Sequence, residues 1–122
     1  MNSKQHTTHS KIPAYITKDG SQISELMHPS QHACQQQSLA EAVVPAGTTT
    51  HLHRHHESEE LYHITAGSGM MRLGEEEFEV KTGDTVCIAP GTAHCIRNTS
   101  DGELVILCCC SPAYSHEDTE LL

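Results

Sequence analysis

The pair His53 and His55, two positions apart and followed by Glu60, constrains the fold of this chain more than any other feature. On a helix that offset sets the two imidazoles on nearly opposite sides. On a strand it puts both on one face, ~6.6 Å apart at Cα. Two imidazoles so spaced can converge on one ion at ~2.0–2.1 Å. Glu60 lies at an odd offset from His55, so on one straight strand it would point to the wrong face, and the chain must bend between them. The polar run from His56 to Glu59 suits that bend. From Glu60 to Gly67 the chain is rich in β-formers, and Glu60 therefore opens a second strand with Tyr62 and Ile64 on its own face.

A second cluster runs from Gly83 to Asn98 and reads as strand, turn, strand. Val86 and Ile88 before Pro90-Gly91, and His94 and Ile96 after it, each keep period two. His94 is the fourth candidate ligand. The spacing G-x5-H-x-H-x4-E-x6-G, from Gly47 to Gly67, followed by G-x5-(P)-x-G-x2-H-x3-N, from Gly83 to Asn98, resembles the paired signature of the cupins. It departs from the pattern once, with Ala89 where the family usually has proline and Pro90 beside it. The resemblance runs from about Gly20 to the C-terminus and is similar to stand-alone single-domain cupins and to the RmlC-like cupin domain of some sugar-phosphate isomerases. It implies an all-β chain folded as a cupin double-stranded β-helix, a jelly-roll barrel of antiparallel strands. It also implies one metal ion held by His53, His55, Glu60 and His94. Pairing His51 with His53 instead, or taking Glu59 as the carboxylate, breaks the family offsets.

A length of 122 residues allows one domain with one core. With one Phe, three Tyr and no Trp, that core must be aliphatic, with Met and Cys filling gaps. The formal net charge of −9 argues against a nucleic-acid or anionic-membrane partner. No apolar stretch is long enough for a membrane span and Met1 to Ser10 lacks a secretory apolar core, so the expected setting is cytoplasmic. The consecutive Cys108, Cys109 and Cys110 end a strand and are poorly placed to bridge one another. With Cys87 and Cys95 in strand positions, the thiols read as reduced and mostly buried. No Cys-x-x-Cys zinc arrangement is present.

Along the chain, residues 1–11 form a polar arm, disordered or lying on a partner subunit, and residues 12–122 form the single barrel domain with an acidic C-terminal tail. A short strand pair turns at Asp19-Gly20, a Gln-rich loop covers His28 to Ser38, and Leu39 to Val44 is the strand that leads to the ligands. Hairpin strands Met70–Leu73 and Glu77–Val80 meet near Gly74, and Leu104 to Cys110 is the last long strand. His51 shares the ligand face by period two and either hydrogen-bonds a ligand or lines the barrel mouth. His56, Glu57 and Glu59 read as solvated, and His63 as structural. Met70 or Arg72 projects inward depending on register; Arg72 and Arg97 read as exposed, with an anchor for a substrate carboxylate as the alternative. The tail reads as solvated, with closure over the mouth by Tyr114, His116, Glu117 and Asp118 as the alternative.

Three imidazoles and a carboxylate leave about two positions open on a six-coordinate ion, which points to function rather than to a structural metal. The donor set accepts Fe, Mn, Ni, Zn, Co or Cu. The expected role is a small metalloenzyme, a dioxygenase or a non-redox isomerase or lyase, acting on a small oxygenated metabolite. A non-catalytic small-molecule-binding module is the alternative. A phosphate site would want Lys, Arg or a glycine-rich helix start, and the chain offers little of either. Sheet edges in need of cover suggest a homodimer.

Overall fold

The computed structural model describes residues 3–122; Met1 and Asn2, the start of the expected arm, lie outside them. Two antiparallel sheets face each other, as alternating apolar and polar residues on most strands require. One is ordered β1 (Tyr15–Ile16), β2 (Gln22–Met27), β3 (Ser38–Val44), β10 (Leu104–Ser111), β5 (Glu59–Ala66) and β8 (Thr85–Ile88). The other is ordered β11 (Thr119–Leu121), β4 (His53–His55), β9 (His94–Asn98), β6 (Ser68–Leu73) and β7 (Glu76–Lys81). No helix among the described residues is long and apolar enough to cross a membrane.

The register of the larger sheet explains why the barrel is solid at one level and hollow at another. Val44 pairs with Leu104, and Ala42, Ile106 and Ile64 form the next row, so that level is filled with branched aliphatics. The following rows are Ala40, Cys108 and Tyr62, then Ser38, Cys110 and Glu60. Small side chains on β3 and β10 leave space there, and that space is the cavity onto which the site opens. Met71, Ile88 and Ile96 complete the aliphatic core.

Two similar turns deliver the ligand strands. Thr48 N donates to Pro45 O with Gly47 at φ 74°, and Thr92 N donates to Ala89 O with Gly91 at φ 80°. Positive φ in the third position is the reason each turn needs glycine. Pro90 thus sits at the second position of the turn, and the shift of the family's proline by one residue leaves the turn intact.

Register decides several of the expectations. Met71, not Met70 or Arg72, points into the core, while Arg72 and Arg97 are both exposed on the outer face, as read from the sequence. Only Cys108 and Cys110 are buried; Cys87 is exposed and Cys34, Cys95 and Cys109 are half-buried, because they occupy loop or outward strand positions. The tail is not a solvated appendage, since Thr119 to Leu121 pairs with His53 to His55. Within the arm, Thr7 Oγ1 donates to Leu26 O at 2.7 Å and His9 Nε2 lies 2.7 Å from Glu41 Oε1.

Candidate metal centre

His53 and His55 lie on one buried face of β4, and the cross-strand partner of His53 is His94 on β9. Potential ligand atoms of these three histidines all lie within 4.8 Å of one another. The opposite sheet supplies Glu60, whose Oε1 is 3.1 Å from His55 Nε2 and 3.4 Å from His94 Nε2. The four side chains therefore meet across the barrel, and none is more than 5% exposed. The bend at His56 and Glu57 makes the odd offset of Glu60 work, and Asp118 fixes it by accepting from Glu57 N and Ser58 N.

The protons on the rings follow from their partners. His53 Nδ1 lies 2.8 Å from His51 O and His94 Nδ1 lies 2.9 Å from Thr92 O, and a carbonyl can only accept. His55 Nδ1 lies 3.0 Å from Thr119 Oγ1, whose own proton goes to Ser115 O. Each imidazole thus carries its hydrogen on Nδ1, and in its neutral form presents a bare Nε2 lone pair to the centre. His94 Nε2 is buried without a hydrogen-bond partner among the described residues. Burial first, then the nearby His94, pull the pKa of His53 below its ordinary value, which keeps that ring neutral. Burial alone would raise the Glu60 carboxyl, but His55 and His94, once their Nε2 atoms take up a proton, hold it down at about 2. Bare lone pairs beside a carboxylate in a buried pocket are unfavourable unless a cation lies among them, and this donor set fits a divalent transition-metal ion.

Neighbours orient the carboxylate. Cys110 Sγ lies 3.4 Å from Glu60 Oε2, and burial, followed by the charge of Glu60, raises its pKa so that the thiol stays protonated and donates. That bond leaves Oε1 turned to the histidines. Asp19 is held similarly: Oδ1 accepts from Thr17 Oγ1 at 2.7 Å, Ser21 N at 2.9 Å and Ser21 Oγ at 2.6 Å. Its Oδ2 faces the centre, 3.9 Å from His53 Nε2. The cavity beyond has a water-accessible volume of about 40 Å³ and is lined also by Glu25, Tyr62 and Tyr114, with no Lys or Arg in its wall. The space suits a small ligand.

His53, His55, Glu60 and His94 are thus brought together as the spacing predicted. His51 touches the site through its backbone carbonyl, and its ring is on the exposed side. Tyr114 does reach over the mouth, its ring centroid 5.9 Å from that of His55, with His116 Nδ1 3.1 Å from its hydroxyl. Asp19, Glu25, Cys110 and Thr119 were not singled out for the site by sequence. On β2, Ile23 and Glu25 keep period two, the pattern that could have pointed to Glu25. Thr119→Val should weaken metal affinity about 10–100-fold, the usual loss for an orienting partner, while the backbone pairing of β11 persists. Competition with a chelating dye measures it, and an unchanged affinity would deny Thr119 that role.

The cupin-domain family model matches residues 40–110. An uncharacterized protein of Methanocaldococcus jannaschii is 56% identical over 116 residues, 95% of this chain and 93% of that protein. An oxalate-binding protein of Thermotoga maritima is 31% identical over 69 residues, 57% of each chain. Among solved structures, that of a predicted oxalate decarboxylase from Thermotoga maritima superposes with a TM-score of 0.76 at 22% identity, covering 86% of this chain and 96% of that one.

Proposed function

The chain belongs to the cupin-domain family, and from that premise we propose that it is a small metalloenzyme acting on a small oxygenated molecule. His53, His55 and His94 hold one divalent transition-metal ion through Nε2, and Glu60 completes the set through Oε1. The observation that carries this reading is the convergence of three bare Nε2 atoms and one carboxylate oxygen at the head of a cavity. When bound, the ion would draw electron density from the oxygens of a chelating ligand. The protein's own groups then do the rest. Asp19 Oδ2, with Oδ1 pinned by Thr17 and Ser21, is a fixed acceptor for a ligand proton. Tyr114 and the surrounding apolar wall limit water. A pinned acceptor beside the centre suits the proton transfers of a lyase or isomerase.

The second reading is a binding module, favoured by the similarity to a protein named for binding oxalate. In either case a homodimer belongs to the proposal: Leu39 and Leu61 are 38% and 41% exposed on the outer face of the larger sheet. A monomeric mass by light scattering would remove it. A reducing, cytoplasmic setting suits the free thiols.

Elemental mass spectrometry on untagged protein purified without added metal tests the centre, with about one ion per chain expected. Loaded protein is then screened for turnover of small hydroxy-carbonyl compounds. Turnover abolished by Asp19→Asn with the ion retained supports the enzyme; ligand binding without turnover supports the module.

A further inference from the structure

Across the cavity from the metal centre lies a buried acid that the proposed function leaves unused. Glu25 on β2 is 7% exposed, and its Oε2 is buried without a hydrogen-bond partner among the described residues. The other oxygen, Oε1, accepts from the Tyr15 hydroxyl at 3.2 Å. The register of β2 against β3 slips between Glu25 and Met27, and such an irregularity commonly re-aims a side chain beside a site. Opposite Glu25 stands Ala40, with Cys108 next in the row, so the two positions nearest the carboxyl carry small side chains. Glu25 and Tyr114 line both the inner cavity and an outer pocket beside it, and Glu25 therefore stands where a ligand would enter.

We propose that Glu25 is a ligand-binding residue, its Oε2 hydrogen-bonding a hydroxyl group of the small molecule whose oxygens engage the histidine centre. This rests on the metal-site reading above. An unmatched buried oxygen is costly to leave bare, and a ligand hydroxyl, which both donates and accepts, matches a carboxyl in either protonation state. Burial raises the Glu25 pKa, with His28, Tyr15, His116 and His32 opposing, so the group carries its proton to higher pH than an ordinary glutamate. The cavity wall holds Asp19, Glu25 and Glu60 and no Lys or Arg, which disfavours a second carboxylate at the far end of the ligand. The ligand class is thus a small hydroxylated chelator, such as a hydroxy acid with a terminal hydroxyl, rather than a dicarboxylate.

The test is titration calorimetry on metal-loaded protein with hydroxy acids of three to five carbons bearing a terminal hydroxyl. Each is paired with its terminal deoxy analogue, glycerate against lactate being the shortest pair. At least one hydroxylated acid should bind tenfold or more tighter than its analogue and tighter than the matching dicarboxylate. Glu25→Leu should reduce that preference to near unity, and Glu25→Gln should keep most of it, with metal content and melting temperature checked for both. Equal binding within every pair, tighter binding of the dicarboxylate, or a preference that survives Glu25→Leu overturns the proposal. Should the protein take up no metal, the metal-site reading fails by itself. Glu25 is then read from its side-chain carbon resonance in metal-free protein titrated with glycerol, where a saturable shift supports the contact and no shift overturns it.

Discussion

His94→Ala should strip the metal from the protein almost completely, from about one ion per chain to below a tenth. A structural four-ligand site contributes ~10–16 kcal/mol of apparent binding, so one donor carries about 3–4 kcal/mol, a factor of ~10²–10³ in affinity. His94 has no substitute. It is fully buried, its Nδ1 is committed to Thr92 O, and no other imidazole occupies its row on β9. The control is chosen against the density of histidines in this segment. His56→Ala and His63→Ala remove exposed rings beside the site, and both variants should keep their ion. Elemental mass spectrometry after gel filtration decides it. Equal loss in all three would mean adventitious capture by surface histidines, and retention in His94→Ala would remove that ring from the ligand set. Part of any loss of stability reflects the space left by the imidazole, about 2–4 kcal/mol for a buried side chain of this size. Metal content, and not melting temperature, is therefore the deciding quantity.

The parts of the centre that sequence could show are those fixed by offset. Period two placed His53 with His55, the glycine-bearing turns bounded both motifs, and the odd step to Glu60 required a bend that the polar run from His56 to Glu59 supplied. What it could not show depends on register between distant strands. Thr119 reaches His55 only because β11 pairs with β4, and three residues at the end of an acidic run carry too little pattern to announce a strand. Cys110 was legible as a small inward group, but its bond to Glu60 follows from β10 lying beside β5. Asp19 looked like an ordinary turn residue. Its role comes from His51 N donating to Asp19 O, which folds that turn against the ligand strand. The inward choice between Met70 and Met71 likewise waits on the pairing of β6 with β9, where one residue of slip reverses every side chain.

Removing the metal should make this fold acid-labile, and the sign of each contribution follows from the groups around the centre. The pKa of His53 is lowered from the ordinary 6.5 by burial and then by His94, so in the unfolded chain it takes up a proton before the folded chain does. Stability from this residue is complete above 6.5 and declines as the pH falls below it. Glu60, held down from 4.5 to about 2, contributes stability above 4.5 that disappears as the pH falls towards 2. Glu25 acts in the opposite direction: its pKa is raised above 4.5, so its contribution is full below that pH and lost as the pH rises through its folded value, which softens the low-pH decline. Metal competes with protons for the same Nε2 atoms, so its stabilisation is largest at neutral pH and shrinks through the histidine range. With free ion at ~1,000 times its dissociation constant the gain is about 4 kcal/mol, on the order of 15 °C in melting temperature for a chain of this size. Scanning calorimetry of loaded and chelator-stripped protein should show that gap at pH 7.5 and little of it at pH 5. A gap that is constant with pH would mean that the ion does not sit on histidine nitrogens, and no gap at pH 7.5 would mean that the fold carries the lone pairs without it.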